Sequence, residues 1–159
     1  MANTTTGERH EKSLGIILLL MLASMVTSGY IVTPLLFYYA NSPSEAGVFA
    51  GIVFQTCNAV VLLLGLAAID AFWKLGAYKK RIWLPLLLIL DLIALNGFVF
   101  TPIIADIKAA AGPIELLPSD DPQRQAFGMW HGITAVVHGA ISVCCAWLVF
   151  YHYSSRQRE

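Results

Sequence analysis

The residues best suited to chemistry are a few polar side chains inside long apolar stretches. Asp91 lies nine residues after Ile82, or about 13 Å along a helix. His138 lies eleven residues after Phe127, or about 16 Å. Both depths are close to the middle of a hydrocarbon core about 30 Å thick. Because a charged Asp at that depth costs about 2.5–3.5 kcal/mol, Asp91 must be protonated, hydrogen-bonded or paired.

His138 is the partner that the sequence offers to Asp91, since it lies at a matching depth and can carry a positive charge. A contact between Asp91 and His138 has two interpretations. It is either a pair that fixes the helix register, or a proton relay or cation site. Polar residues on the same segment recur at steps of three and four, so they share one helix face. We predict an intramembrane polar site made of Asp91, His138, His131, Asn96, Asn58 and Gln55.

Small residues beside these polar positions predict close packing between helices. Two pairs have the GxxxG spacing that lets helix backbones approach each other. A further glycine continues the second stripe. We predict that the packing positions are Gly47, Gly51, Gly128, Gly132 and Gly139.

His131 and His138 are the candidate ligands for a metal ion or haem. A seven-residue step separates them by about 10 Å, which is too far for both to bind one metal through bonds of about 2 Å. Asn96 and Asp91 are weak haem ligands. We therefore predict no cofactor, and haem- or metal-dependent electron transfer is a lesser alternative. Common catalytic motifs (GxSxG, HExxH, GxGxxG and the Walker loop) are absent, which favours a non-enzymatic protein.

The elements that must position these residues are helices that cross a membrane. Of the 159 residues, 57% are hydrophobic and 13% charged, against about 45–50% and 25% in soluble proteins. Four apolar segments each exceed the roughly 20 residues that a crossing needs; they are 14–39, 47–73, 82–105 and 127–153. We predict an all-α integral membrane protein, an antiparallel four-helix transmembrane bundle over 14–153 with tails at 1–13 and 154–159. No internal repeat or separate soluble domain is expected.

Positive charges predict the orientation, because Lys and Arg are retained on the cytoplasmic side. Eight lie in the tails and the loop between the second and third segments; they are Arg9, Lys12, Lys74, Lys79, Lys80, Arg81, Arg156 and Arg158. Lys108 and Arg124 lie on the other side. Both termini are therefore expected in the cytoplasm, and the lack of an Arg- and Ser-rich leader favours a bacterial inner membrane. The net charge of zero offers no basic face to nucleic acid.

Two sequence signals predict helix starts on the side away from the termini. Ser42-Pro43-Ser44-Glu45 has the pattern of a capping box with Pro at the first helical position. Asp121-Pro122 predicts that the fourth helix begins before the membrane.

Three short motifs resemble the transmembrane-protein-205-like family, also known as domain of unknown function 4149. They are the first hairpin, with 32–37 and 46–54; residues 95–103; and Phe127-Gly128-Met129-Trp130-His131-Gly132-Ile133-Thr134, which is similar to the signature F-x-x-x-H-G-x-S. The resemblance implies a four-helix membrane protein with no established reaction. The matching positions are Pro34, Phe37, Gly47, Asn96, Pro102, His131 and Gly132. Where the family usually has Asn, this chain has His138.

The first functional hypothesis is an accessory or assembly subunit of a larger membrane complex, in contact with the lipid bilayer and other membrane protein subunits. Its support is the small size and the lack of catalytic motifs. The alternative is a small transporter or ion-site protein that uses the polar residues as a path.

Overall fold

Four long helical rods make up the protein. A computed structural model describes residues 2–76 and 80–157, and all secondary structure within them is helical. The rods that are long and apolar enough to cross a membrane are Gly7–Tyr39 (span 1), Pro43–Lys74 (span 2), Arg81–Ala111 (span 3) and Pro122–Ser155 (span 4). They confirm the predicted all-α membrane fold. Lys79 and Arg158, which the orientation argument counted, lie outside the described residues.

Spans 1 and 3 are interrupted by π-helical turns, and spans 2 and 4 are continuous. The helical rod of span 1 begins five residues before the span and consists of α1 (Ala2–Val26), the first π-turn (Thr27–Val32) and α2 (Thr33–Tyr39). Span 2 is α3 (Pro43–Lys74). Span 3 contains α4 (Lys80–Leu95), the second π-turn (Asn96–Phe100) and α5 (Thr101–Ala111), and a 3₁₀ turn (Ile114–Leu116) follows it. Span 4 is α6 (Pro122–Arg156).

Local sequence signals explain where these helices begin and end. The Ser42 side chain accepts a hydrogen bond from the Glu45 N–H, and Glu45 accepts in turn from the backbone N–H of Asn41. These contacts form the predicted cap, with the reciprocal bond shifted by one residue. Asp121 caps span 4 by accepting from the N–H groups of the second and third residues after it. Gly112, with φ of 68°, ends α5.

The bundle core lies in the half that is nearer to both termini. Fully buried side chains there come from all four spans; they include Leu18, Met21, Val61, Leu86, Ile89, Ile141 and Leu148. Contacts between Phe72 and Trp83, and between Phe100 and Trp130, join residues near matching ends of neighbouring spans. Such pairs are consistent with the predicted antiparallel arrangement.

A proline inside span 3 is accommodated by a hydrogen bond from span 4. Pro85 has no N–H, so the carbonyl of Arg81, four residues earlier, loses its usual helical donor. The Trp147 indole N–H donates to that carbonyl at 3.3 Å. A neighbouring helix thereby satisfies the group that the proline leaves free, as transmembrane bundles commonly do.

The two π-turns belong to a short internal repeat, so the expectation of no repeat is wrong at this scale. Residues 28–36 read SGYIVTPLL and residues 96–104 read NGFVFTPII. Each segment has Gly, an aromatic residue, a β-branched residue and one more apolar residue, followed by Thr-Pro and two aliphatic residues. In both, the π-turn ends directly before Thr-Pro, and the N–H of the Thr donates to the carbonyl five residues earlier.

Candidate functional site

The candidate site is a buried polar cluster at the first π-turn, where span 4 meets span 1. His138 is buried, and its Nε2 lies 3.0 Å from the Met25 carbonyl oxygen. A carbonyl only accepts hydrogen bonds, so Nε2 carries the proton and donates it. Met25 lies two residues before the start of the π-turn at Thr27, and such turns are frequent at functional sites.

Gly29 makes this approach of the histidine possible. A Cβ atom at position 29 would lie 2.2 Å from His138 Nε2, which is well inside any tolerated contact. The imidazole therefore packs directly over the backbone of the π-turn. The Tyr30 and Phe54 rings flank it, with ring centroids 5.9 and 5.1 Å from that of the imidazole. The site is thus a tightly packed contact rather than an open cleft.

Span 2 joins the cluster through a thiol. The Ser28 hydroxyl lies 3.2 Å from the Met25 carbonyl oxygen and 3.3 Å from Cys57 Sγ. The Cys57 thiol donates to the Ser24 carbonyl at 3.4 Å. On span 4, the Ser142 hydroxyl donates to the His138 carbonyl at 2.9 Å. Spans 1, 2 and 4 are thereby linked by polar contacts inside an apolar bundle.

Asn58 and Asn96 are also buried, with 8% exposure each. Asn58 follows Cys57 on span 2, and Asn96 opens the second π-turn on span 3. Neither side-chain amide has a hydrogen-bond partner within residues 2–76 and 80–157. Each span therefore contributes at least one buried polar side chain, and those of the first π-turn are bonded to one another.

Asp91 lies outside this cluster, so the expectation that it faces the bundle interior is wrong. The residue is exposed, and it forms no hydrogen bond or ion pair with any part of the chain that the structure describes. His138 bonds Met25 instead. The physical reason is that Ile89 and Ile93 occupy the interior face of span 3, which turns the position between them outward.

Gln55 and His131 are exposed as well, so the structure does not bring them together with His138 in one path. His131 stacks on Phe127 of its own helix, with ring centroids 5.6 Å apart. The periodicity placed His131 and His138 on one stripe, but the covered part of that stripe extends only from His138 towards Cys145.

The glycines that allow close packing differ from the predicted ones. A Cβ at Gly51, Gly128 or Gly132 would meet no atom within 4 Å. At Gly47 it would meet the Lys108 amine at 3.6 Å, and at Gly139 the Tyr30 hydroxyl at 3.9 Å, which are ordinary contacts.

Two of the glycines that do pack closely were missed. Gly29 faces His138, and a Cβ at Gly65 would lie 2.7 Å from Leu90 Cδ2. Neither belongs to a GxxxG pair. The available signal for Gly29 was its place before Thr-Pro, shared with Gly97.

The predicted ligand residues do not form a metal centre. Among the described residues, no group of three or more His, Cys, Asp and Glu side chains comes together to hold an ion. His131 and His138 have different surroundings, one exposed and one buried.

Comparison with known proteins gives one match. The family model described as "Domain of unknown function (DUF4149)" matches residues 16–113. No curated protein and no solved structure is detectably similar to the chain. The matched segment contains both π-turns, Asp91 and the family-motif positions Pro34, Phe37 and Pro102, all three of which are exposed. Span 4, with His138, lies beyond it.

Proposed function

We propose that this chain, which belongs to the family of domain of unknown function DUF4149, is a small accessory or assembly subunit of a larger membrane complex. The observation that carries the proposal is the outward position of Asp91 on span 3. A subunit of this kind works by lateral contact with other membrane proteins, so its outward faces are its functional surfaces.

The outward face of span 3 combines leucines with one carboxylate. Its exposed residues recur at steps of three and four around Asp91; they include Leu84, Leu88, Leu95, Phe98 and Pro102, and we call this set the Asp91 stripe. Asp91 is ten residues, or about 15 Å, from the start of span 3. Lipid chains offer that carboxylate neither a donor nor a counter-charge, at a cost of about 2.5–3.5 kcal/mol. A protein partner that supplies a donor removes much of this cost.

The remaining outward surface is consistent with such a role. Only 28% of the most apolar window of each span is buried inside the bundle. The buried polar cluster at the first π-turn is closed around its own hydrogen bonds. Its hydrogen bonds support a structural role for the cluster, which is to hold spans 1, 2 and 4 together.

The proposal also includes a more specific family, the side of the membrane on which the termini lie, and the membrane itself. The motifs at 32–37, 46–54, 95–103 and 127–134 support membership of the transmembrane-protein-205-like family. The eight-to-two distribution of Lys and Arg supports cytoplasmic termini, and we assign the chain to a bacterial inner membrane.

Site-specific photo-cross-linking in native membranes tests the proposal. A photo-reactive side chain in place of Leu88 samples the Asp91 stripe. The same side chain in place of Val136, which is 74% exposed on span 4, is the matched control. We expect a discrete protein adduct from position 88 and only lipid adducts from position 136. Lipid adducts alone from both positions would contradict an assembly role for this face.

A further inference from the structure

We propose that the partner on the Asp91 stripe is a second copy of this chain, with the two copies of span 3 packed in parallel and their Asp91 carboxyls facing each other. This inference rests on the proposed function and names the occupant of the same surface.

The spacing of the stripe fits a helix pair. Within α4, Leu84 and Asp91 form one seven-residue series and Leu88 and Leu95 another, and all four are exposed. Phe98 and Pro102 are also exposed, but they lie in and after the π-turn, where the α-helical spacing changes. Two interleaved seven-residue series form the seam of a left-handed helix pair. A single polar residue within such a seam sets the register and the number of strands. Asp91 lies at the centre of the stripe, with apolar positions on either side.

Span 4 provides a contrast that shows what Asp91 adds. Met129, Val136 and Val143 are also exposed at seven-residue steps. That series contains no ionisable group in its described part, and lipid covers apolar side chains without cost. Spacing alone therefore does not select a docking face. On span 3 the spacing coincides with a carboxyl group, which lipid leaves without a donor or a counter-charge.

A second copy offers a matching group at the same depth, on the condition that at least one of the two carboxyls is protonated. Two chains inserted in the same direction have Asp91 at the same depth, so the carboxyls meet in register. When one or both are protonated, the carboxylic O–H of one donates to an oxygen of the other, and each is removed from lipid. A different partner would need its own donor at that depth. Lys and Arg of this chain lie near the span ends or in the loops and tails.

Cysteine cross-linking of the purified chain in liposomes tests the pairing. Leu84 is 71% exposed and lies near the end of the stripe, where an added oxidant reaches it. We expect Leu84→Cys to form a disulfide-linked species of twice the 17.4 kDa chain mass. Val136→Cys is the control and should stay monomeric. The chain without either substitution is the blank for its own thiols, of which Cys57 and Cys145 are buried and Cys144 is half-buried.

Substitutions at Asp91 test the carboxyl contact itself. Asp91→Asn keeps a donor and an acceptor and should retain the dimer. Asp91→Leu should raise the dissociation constant measured by energy transfer between labelled copies at least tenfold. Thr56→Leu, an exposed polar-to-leucine change on span 2, should leave it unchanged. Because Asp91 is exposed and forms no hydrogen bond or ion pair within the described chain, the melting temperature of the monomeric fraction should be the same for the Asp91→Leu variant as for the parent.

The outcomes separate this inference from the proposed function. A dimer that is equally strong in the Asp91→Leu variant, or no Leu84→Cys dimer in liposomes, would overturn the pairing. If position 88 still cross-links to a different protein in native membranes, the accessory role survives while the homodimer does not. If neither experiment yields a protein adduct, both proposals fall.

Discussion

The two π-turns have nearly the same sequence pattern and opposite surroundings. In the first, Gly29 is covered by His138, which donates to the Met25 carbonyl. In the second, a Cβ at Gly97 would meet no atom within 4 Å, and Phe98 is 83% exposed. The local segment determines the π-turn and the proline that follows it. The neighbouring helix determines whether that turn is covered, and the His138 side chain of span 4 lies over Gly29 but not over Gly97.

This difference distinguishes a hydrogen-bonded π-turn in span 1 from an exposed π-turn in span 3. The first π-turn is bonded to spans 2 and 4, whereas the second contributes the buried Asn96 and an outward face. The same unit therefore stabilises the bundle in span 1 and leaves an exposed face in span 3. Substitutions at equivalent positions of the two turns measure this division directly.

Alanine at the two equivalent glycines should give the largest contrast. Gly29→Ala places a methyl group against His138 and should destabilise the bundle by about 1–3 kcal/mol, as overpacking usually does. Gly97→Ala adds a methyl group in open space and should be neutral, or stabilising by up to about 1 kcal/mol through helix propensity. SDS-induced unfolding in mixed micelles, followed by Trp fluorescence, measures both.

A double variant identifies the cause of the Gly29 effect. In a His138→Ala background the imidazole is absent, so Gly29→Ala should lose most of its cost. If Gly29→Ala is equally damaging with and without His138, the damage comes from the backbone of the π-turn and the comparison between the turns loses its explanation.

Threonine side chains at the ends of the two turns should give a smaller contrast. The Thr33 hydroxyl donates to the Ser28 carbonyl at 2.8 Å. The Thr101 hydroxyl has no equivalent bond in the part of the chain that the structure describes. Thr33→Val should therefore cost about 0.5–1.5 kcal/mol, the usual net value of one hydrogen bond, and Thr101→Val less. Equal unfolding midpoints for the two variants would show that the turns are held alike.

The sequence predicts the four helices well because hydropathy and length are properties of each segment alone. It predicts the faces poorly, and Asp91 shows why. Leucines and isoleucines surround Asp91 on all sides of span 3, so periodicity cannot tell which of them the bundle covers. The choice of the covered face rested on the assumption that a carboxylate in the membrane turns towards the bundle interior. In the single chain this assumption is wrong. The prediction of close packing at the GxxxG pairs was wrong for a related reason. The spacing permits a neighbouring helix to approach, but it does not determine that a helix lies there.

The first π-turn was predictable in part. A stripe through His138 and Ser142 follows from steps of four residues. The contact with Met25, however, depends on how spans 1 and 4 are rotated, and on a change of helical register that no side-chain pattern encodes directly. The repeated Gly, aromatic and Thr-Pro pattern was the visible clue, since proline withdraws a backbone donor and forces an adjustment before it.

The smallest contrast concerns the two connections on the side away from the termini. The Ser42 cap closes the turn between spans 1 and 2 with neighbouring residues, whereas the loop after span 3 is tied to the start of span 2 by a hydrogen bond from the Ser44 hydroxyl to Glu115. This bond holds the pKa of the half-buried Glu115 carboxyl below its ordinary value of 4.5. A lowered pKa stabilises the fold above the unfolded-state value, and the contribution disappears as the pH falls through the lowered value.

Acidification should therefore release the loop in the parent chain but change little in a variant that lacks the bond. We expect Glu115→Gln and Ser44→Ala to lower the melting temperature slightly at pH 7 and to match the parent at a pH below the lowered pKa of Glu115, where the carboxyl is protonated. Asp120→Asn, an exposed change in the same loop, is the control. A constant gap between variant and parent across this pH range would mean that the ionised carboxylate does not hold the loop.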